Sequence, residues 1–261
     1  SKRGLTFKPG LDWYNSITCV IGDSSFGNET EWIDTWKEFE PHRSQGGKIL
    51  ALGDPQLADV QPGMMHVLSF GSTVVRRVCR STVQAEAYNL DLCVEEADLL
   101  RAAIVDLRGL LDRRNWELSA ASKMHSAWFT DCKSLSDALC RTVLSKIADK
   151  RRGITLAAMR QSLWRRPGGG LAIPRLMEGR PKDTTDSVSW IDTSVMPCDC
   201  FTKSMKTDTL REILDTNLWD PRQSEDAKAQ KANRQQQRQR KPTKLPAIAK
   251  RSPGPLSLIH I

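Results

Sequence analysis

The strongest constraint on how this chain can fold is a change of hydrophobic period near residue 81. Before it, apolar residues come in short runs of strand period. Ile17 to Gly22 is the first such run. Counted by two, Ile17, Cys19, Ile21 and Asp23 fall on one face of a strand. Gly46-Gly47 opens a second run, Lys48 to Leu52. A Pro-Gly turn at 62–63 precedes a third, Met64 to Phe70, and a fourth strand is read from Thr73 to Cys79. After residue 81 the pattern is helical. Ser81-Thr82-Val83-Gln84 fits a capping box. Val83, Ala87, Leu90, Val94, Ala97 and Ile104 then share one stripe of a long helix reaching about Leu111, with Arg in its 101 slot. A strand at Ser126 to Thr130 follows, then helices at Lys133 to Leu144 and Ile154 to Trp164. Beyond them lie a Gly168-Gly169-Gly170 loop, a strand at Val188 to Ile191, and one or two closing helices within Pro197 to Leu214. The order β-β-β-(β)-α-β-α-α-β-α predicts an α/β chain: a mixed central sheet with flanking helices.

Charge divides the chain differently. Lys and Arg total 39 and Asp and Glu 31, a net of +8. Residues 1–221 hold 29 of each, so the ten basic and two acidic residues of 222–261 carry the whole excess. Residues 222–245 are rich in Gln, Lys and Arg with almost no apolar content, too little to offset chain entropy, and a disordered basic tail is expected. The expected organisation is a lead-in over 1–16, a domain over 17–221, and the tail over 222–261. No run approaches the ~18 apolar residues of a membrane span, and no secretory signal opens the chain, so an intracellular setting (a cytoplasmic particle or the nucleus) and no membrane partner are expected. The chain opens with Ser1 and not Met, which points to a piece of a longer product. Seven cysteines, an odd count with no CxxC pair, point to reduced thiols and away from a disulfide framework or a standard zinc site. Cys198 and Cys200 as a metal pair are the minor alternative.

The common catalytic motifs HExxH, GxSxG and GxxxxGK[ST] are absent, and His42, His66, His125 and His260 sit in no ligand spacing. What stands out is acids at the ends of apolar elements. Asp23 closes the first strand, Glu86 lies one turn into the long helix among Ala85, Ala87 and Leu90, Asp131 closes Ser126–Thr130, and Asp199 sits between Cys198 and Cys200. A carboxylate in such surroundings must be paired, hydrogen-bonded or metal-bound, because an isolated buried charge is very costly. Taken singly, each has an ordinary explanation as a cap, a turn former or a residue on a solvated helix face. Their joint occurrence makes them candidates.

The segments around these acids resemble the RNase H domain of copia-type retrotransposon Pol polyproteins. Asp23-Ser24-Ser25-Phe26 fits that family's opening D-A-S-F, and Arg43-Ser44-Gln45-Gly46-Gly47 its R/K-S-x-x-G. Arg80-Ser81-Thr82-Val83-Gln84-Ala85-Glu86-Ala87 resembles R-S-T-x-A-E-A. Thr130-Asp131-Cys132-Lys133-Ser134-Leu135 resembles T-D-x-x-S-L. Trp190-Ile191-Asp192-Thr193 followed by Cys198-Asp199-Cys200-Phe201-Thr202-Lys203 resembles V-x-T…A-D-x-L-T-K. Five segments keep the family's order across residues 17–206. The resemblance implies an RNase H-like fold and a catalytic, metal-binding quartet of Asp23, Glu86, Asp131 and Asp199, with Asp192 the rival for the fourth place. An all-carboxylate set suits Mg²⁺ or Mn²⁺, and two such ions about 3.5–4 Å apart can drive in-line displacement at a phosphodiester. The implied substrate is an RNA–DNA hybrid, told apart by its 2′-hydroxyls. The implied partner is the reverse transcriptase domain of the same polyprotein.

Three departures accompany the likeness. No histidine lies in Thr193–Pro197, the place where cellular RNases H carry one. The basic pair usual before the long helix is replaced by Ser72-Thr73-Val74-Val75. Cys198 stands where Ala is usual. Arg76, Arg77 and Arg80 are candidates to replace the missing basic pair as phosphate contacts, joined by Lys150, Arg151 and Arg152. Trp128 and Trp190, on strand segments, are expected in the core. The alternative to an active enzyme is an RNase H-like module that only binds nucleic acid or props up a polymerase.

Overall fold

A computed structural model describes residues 5–29, 43–141, 149–166, 168, 184–204 and 207–222. By contacts the chain groups into Ser1–Gln223 and Ser224–Ile261, and every described residue belongs to the first group. Apart from Arg222, the basic tail lies outside the described residues, as does the Gly169-Gly170 part of the expected loop.

Strand β1 (Ile17–Glu29) pairs antiparallel with β2 (Arg43–Gly53), and β2 pairs antiparallel with β3 (Gly63–Val74). Helix α1 (Thr82–Leu107) and the short α2 (Trp116–Lys123) lead to β4 (Ser126–Thr130), which runs parallel to β1. Helices α3 (Lys133–Cys140) and α4 (Lys150–Leu163) precede β5 (Asp186–Trp190), parallel to β4. A single turn, α5 (Asp199–Thr202), then α6 (Asp208–Thr216) and the two-residue β6 (Leu218–Trp219) close the described chain. The sheet order is β5-β4-β1-β2-β3-β6. This is the expected architecture, a mixed central sheet with helices on its faces.

Strand alternation assigns the two faces. Ile17, Cys19 and Ile21 of β1, with Ala127 and Phe129 of β4, bury against Leu210 and Ile213 of α6, Cys198 and Trp219. Val20 and Trp128 point the other way, into Leu90, Val94 and Ala97 of α1, Leu135 and Leu139 of α3, and Leu156 and Met159 of α4. Asp23 and Asp131 continue the parity of the first set and lie just past the last β1–β4 pair, Ile21 and Phe129. Asp131 follows the end of β4, but β1 does not close at Asp23 as expected, because its pairing with β2 carries it on past Asp23.

Several expectations are corrected. No strand forms over Val75–Cys79. β3 runs on to Val74, with Gly71, Ser72 and Thr73 pairing Lys48, Gly47 and Gly46, so the Gly71-Ser72 stretch read as a break is ordinary ladder. The long helix ends at Leu107, because Gly109 takes a left-handed φ of +72°, a conformation that stops helices. Trp128 is core, whereas Trp190 is 39% exposed, since it ends an edge strand of the sheet. No helix among the described residues is long and apolar enough to cross a membrane.

Candidate active site

Two adjacent glycines, paired with Ser24 and Asp23, let both helical layers reach the middle of β1. A Cβ on Gly46 would lie 2.1 Å from Asn89 Oδ1 of α1, and one on Gly47 would lie 2.9 Å from Phe201 Cβ and 3.0 Å from the Cys198 carbonyl at α5. Only a residue without a side chain permits such approaches. Asn89 uses the first opening. Its Nδ2 donates to the carbonyls of Asp23 and Gly47, each at 2.9 Å, tying α1 to both strands beside Asp23. The second opening seats α5, whose first turn carries Asp199.

The consequence is a convergence of acids far apart in sequence. Carboxylate oxygens of Asp23, Asp131 and Asp199 all lie within 4.8 Å of one another, and Asp23 and Asp199 are buried. Glu86, also buried, comes in from α1, where its Oε1 accepts from the Ser24 backbone N–H at 3.2 Å. Its neighbours in charge are Asp23 and Asp131. The rival Asp192 is placed otherwise. Its side chain accepts from the Ser194 N–H at 3.0 Å and caps the turn over Thr193–Val195.

Burial and mutual repulsion govern the electrostatics. Burial, followed by the Asp23 and Asp131 charges, pushes the Glu86 carboxyl well above the usual range. Burial likewise raises Asp131, with Asp23 adding to it, and raises Asp23 against the opposing effects of Thr202 and Lys203. Three hydroxyl and ammonium donors hold the cluster. Thr193 Oγ1 donates to Asp131 Oδ2 at 2.8 Å, Thr202 Oγ1 donates to Asp23 Oδ2, and Lys203 Nζ lies 2.6 Å from Asp199 Oδ1 and 3.7 Å from Asp23 Oδ2. Burial works against the Lys203 ammonium, but the bond to Asp199 and the Asp23 charge outweigh it and raise its pKa. Thr202 and Lys203, the T-K end of the closing segment, are functional neighbours that the motif reading alone does not single out. The usable signal was spacing: they follow Asp199 by three and four residues, which in a helical turn puts all three on one face.

An oxygen-only donor set, closely spaced and largely buried, fits a hard divalent cation and contains none of the Cys and His donors of a standard zinc site. Cys198 is buried with its thiol donating to the Ile21 carbonyl, and Cys200 donates to the Pro197 carbonyl, so the two thiols face backbone acceptors.

Of the six candidate basic residues, Arg76, Arg77 and Arg80 lie in the connection before α1, and Lys150, Arg151 and Arg152 form the first turn of α4. Ser81 Oγ accepts from the Gln84 N–H at 3.3 Å, as the capping box requires, and Gln84 Oε1 accepts from the Arg80 N–H at 2.7 Å. Gln84 Nε2 also donates to Asp149 Oδ2 at 2.9 Å, and Asp149 is the cap of α4. That one side chain therefore joins the start of α1 to the start of α4. Arg76, Arg77, Arg80, Lys150 and Arg151 are exposed and Arg152 is half-buried. Arg77 lies over the Tyr88 ring at 5.1 Å.

Among solved structures, the chain is similar to the N-terminal RNase H domain of Rv2228c from Mycobacterium tuberculosis, solved as a fusion with maltose-binding protein. The likeness has 10% identity and a TM-score of 0.33, and covers 76% of this chain and 98% of that one. No protein-family model and no curated protein matches the chain.

Proposed function

We propose that the chain is a ribonuclease H-type phosphodiesterase that hydrolyses the RNA strand of RNA–DNA hybrids, and that it serves reverse transcription in a copia-type retrotransposon Pol polyprotein beside that polyprotein's reverse transcriptase domain. The observation that carries the reading is the convergence of Asp23, Asp131 and Asp199 within 4.8 Å, with Glu86 buried against the same strand end. These four acids are separated by tens of residues and nothing in the packing of the sheet requires them to meet. The retroelement origin rests on the resemblance of the five segments.

Asp23, Asp131 and Asp199, with Glu86, would hold Mg²⁺ or Mn²⁺. Two bound ions would supply an activated water and stabilise the leaving oxygen of the phosphodiester. The chain's own residues prepare the place. Thr193 and Thr202 orient the Asp131 and Asp23 carboxylates by donating to one oxygen of each, which leaves the other oxygens for ligation. The Ser24 N–H fixes Glu86 in the same way. Arg80 with Lys150, Arg151 and Arg152, at two helix starts joined by the Gln84–Asp149 bond, and Arg76 and Arg77 in the connection before α1 would contact the hybrid's phosphate backbone without reading sequence.

The test is cleavage of a labelled RNA–DNA hybrid by purified protein with Mg²⁺. Cutting of the RNA strand that stops with a chelator and falls by about 100-fold or more in Asp131→Asn supports the reading. A wild-type protein that binds hybrid but never cuts it would overturn the reading in favour of a module that only binds or props a polymerase.

A further inference from the structure

We propose that Lys203 is a built-in counter-ion that occupies the acidic cluster and must be displaced before a divalent cation binds there. The proposal rests on the metal reading of the site given above. Its basis is position. The Lys203 ammonium bridges two of the three clustered aspartates, 2.6 Å from Asp199 Oδ1 and 3.7 Å from Asp23 Oδ2. That is a bridging place which an ion held by the same two carboxylates would also claim.

Charge balance explains why a lysine sits there. Four acidic groups meet at one strand end, and three of them are buried. Left alone they would repel one another at short range in a poorly screened setting. Among the described residues, Lys203 is the cation in ion-pair contact with this group. The hydroxyls of Thr193 and Thr202 contribute dipoles and no net charge.

Geometry also explains why the lysine can leave. It follows Asp199 by four residues at the end of the one-turn α5, so its charge is always close at hand. Its side chain is nevertheless 40% exposed, in contrast with 1% and 4% for the two aspartates it bridges. Its ammonium can swing to water on a flexible four-carbon stem while the carboxylates stay in place. A divalent ion carries twice the charge and accepts several oxygens at once, so it wins the exchange at sufficient concentration. The lysine then raises the concentration needed.

The test is Mg²⁺ alone, titrated into metal-free wild type, Lys203→Ala and Lys203→Arg, with binding read by calorimetry and stability by thermal unfolding. Lys203→Ala is expected to bind Mg²⁺ about tenfold more tightly, to melt lower without metal, and to gain more in Tm on Mg²⁺ addition. Lys203→Arg, which keeps the charge, is expected to follow wild type in binding. If Lys203→Ala folds only with Mg²⁺ present, the counter-ion role is supported directly. An unchanged or weakened Mg²⁺ affinity in Lys203→Ala overturns the proposal. If wild type itself shows no saturable Mg²⁺ binding, and Asp131→Asn behaves the same, the metal reading has failed. If wild type binds and Lys203→Ala binds equally, only the role of Lys203 has.

Discussion

The two ends of the parallel strands both bury carboxylates, and they treat them in opposite ways. At the start of β5, Asp186 is fully buried and pairs with Arg101, itself 1% exposed, which also reaches Asp98. Asp186 lies opposite Ser126, five residues before Asp131, so this ion pair sits roughly 16 Å along the strand from the Asp131 level at 3.3 Å per residue. One arginine between two aspartates leaves a local imbalance of one charge. At the other end four acids gather against one half-exposed lysine. The first arrangement is closed by the protein's own residues. The second is left short of positive charge, and under the proposed function that shortage is what separates a cation site from an acid buried for packing.

The largest effect is expected where the buried acid already has a counter-charge of its own. Arg101→Met strands Asp186 as an unpaired buried charge and should cost about 3–5 kcal/mol in denaturant unfolding. Arg101→Met combined with Asp186→Leu should recover most of that. The pair is imperfect to begin with, as Arg101 Nε and Asp186 Oδ2 have no hydrogen-bond partner among the described residues. Asp131→Asn at the other end should leave metal-free stability unchanged or slightly higher, because it removes a repelled charge. Equal losses in Arg101→Met and Asp131→Asn would abolish the distinction between the two ends.

A second effect follows from the direction of the shifts. Asp23, Glu86 and Asp131 are all raised, first by burial and then by one another or by Asp199, so the folded chain holds protons that the unfolded chain releases near pH 4. With more protons bound in the folded state, stability falls as pH rises from about 4 through the raised values. Metal-free protein should therefore lose denaturant stability as pH rises above the ordinary carboxylate range. Saturating Mg²⁺, which favours the ionised carboxylates, should remove the loss. Glu86→Gln should flatten the metal-free slope. Metal-free stability that climbs with pH, or a slope unaffected by Glu86→Gln, would contradict the charge-short picture of this end.

The contrast also marks what could be read from the chain beforehand. The acids of the cluster were visible because each closes or opens an apolar element, and strand parity put Asp23 on a definite face. The Ser81–Gln84 cap was visible because it is a local pattern whose bonds form within four residues. Arg101 was noticed only as a polar slot in an apolar stripe. Its partner Asp186 is 85 residues away, and no local pattern links them. The same holds for Asn89, whose two bonds to strand carbonyls depend on Gly46 having no side chain. Helix α2 was missed because Trp116–Lys123 mixes polar and small residues without an apolar stripe, and β6 because two residues carry no periodicity. Trp190 was misplaced because an apolar strand segment does not say whether its strand ends at an edge.

The smallest expected effect discriminates between the two candidates for the fourth acid. Asp192 lies on the same short connection as Asp199 and differs from it in what it faces: the Ser194 N–H of its own turn, against the carboxylates of Asp23 and Asp131. Removing a side-chain cap of this kind costs about 0.5–1 kcal/mol, so Asp192→Ala should shift the unfolding midpoint slightly and leave the Mg²⁺ titration as it was. Asp199→Asn should do the reverse. It removes one ligand charge and also releases Lys203 from its closer contact, so Mg²⁺ binding should weaken markedly while metal-free stability changes little. Should Asp192→Ala weaken Mg²⁺ binding and Asp199→Asn leave it intact, the acid that completes the site would be the cap and not the cluster member, and α5 would lose its role in assembling it.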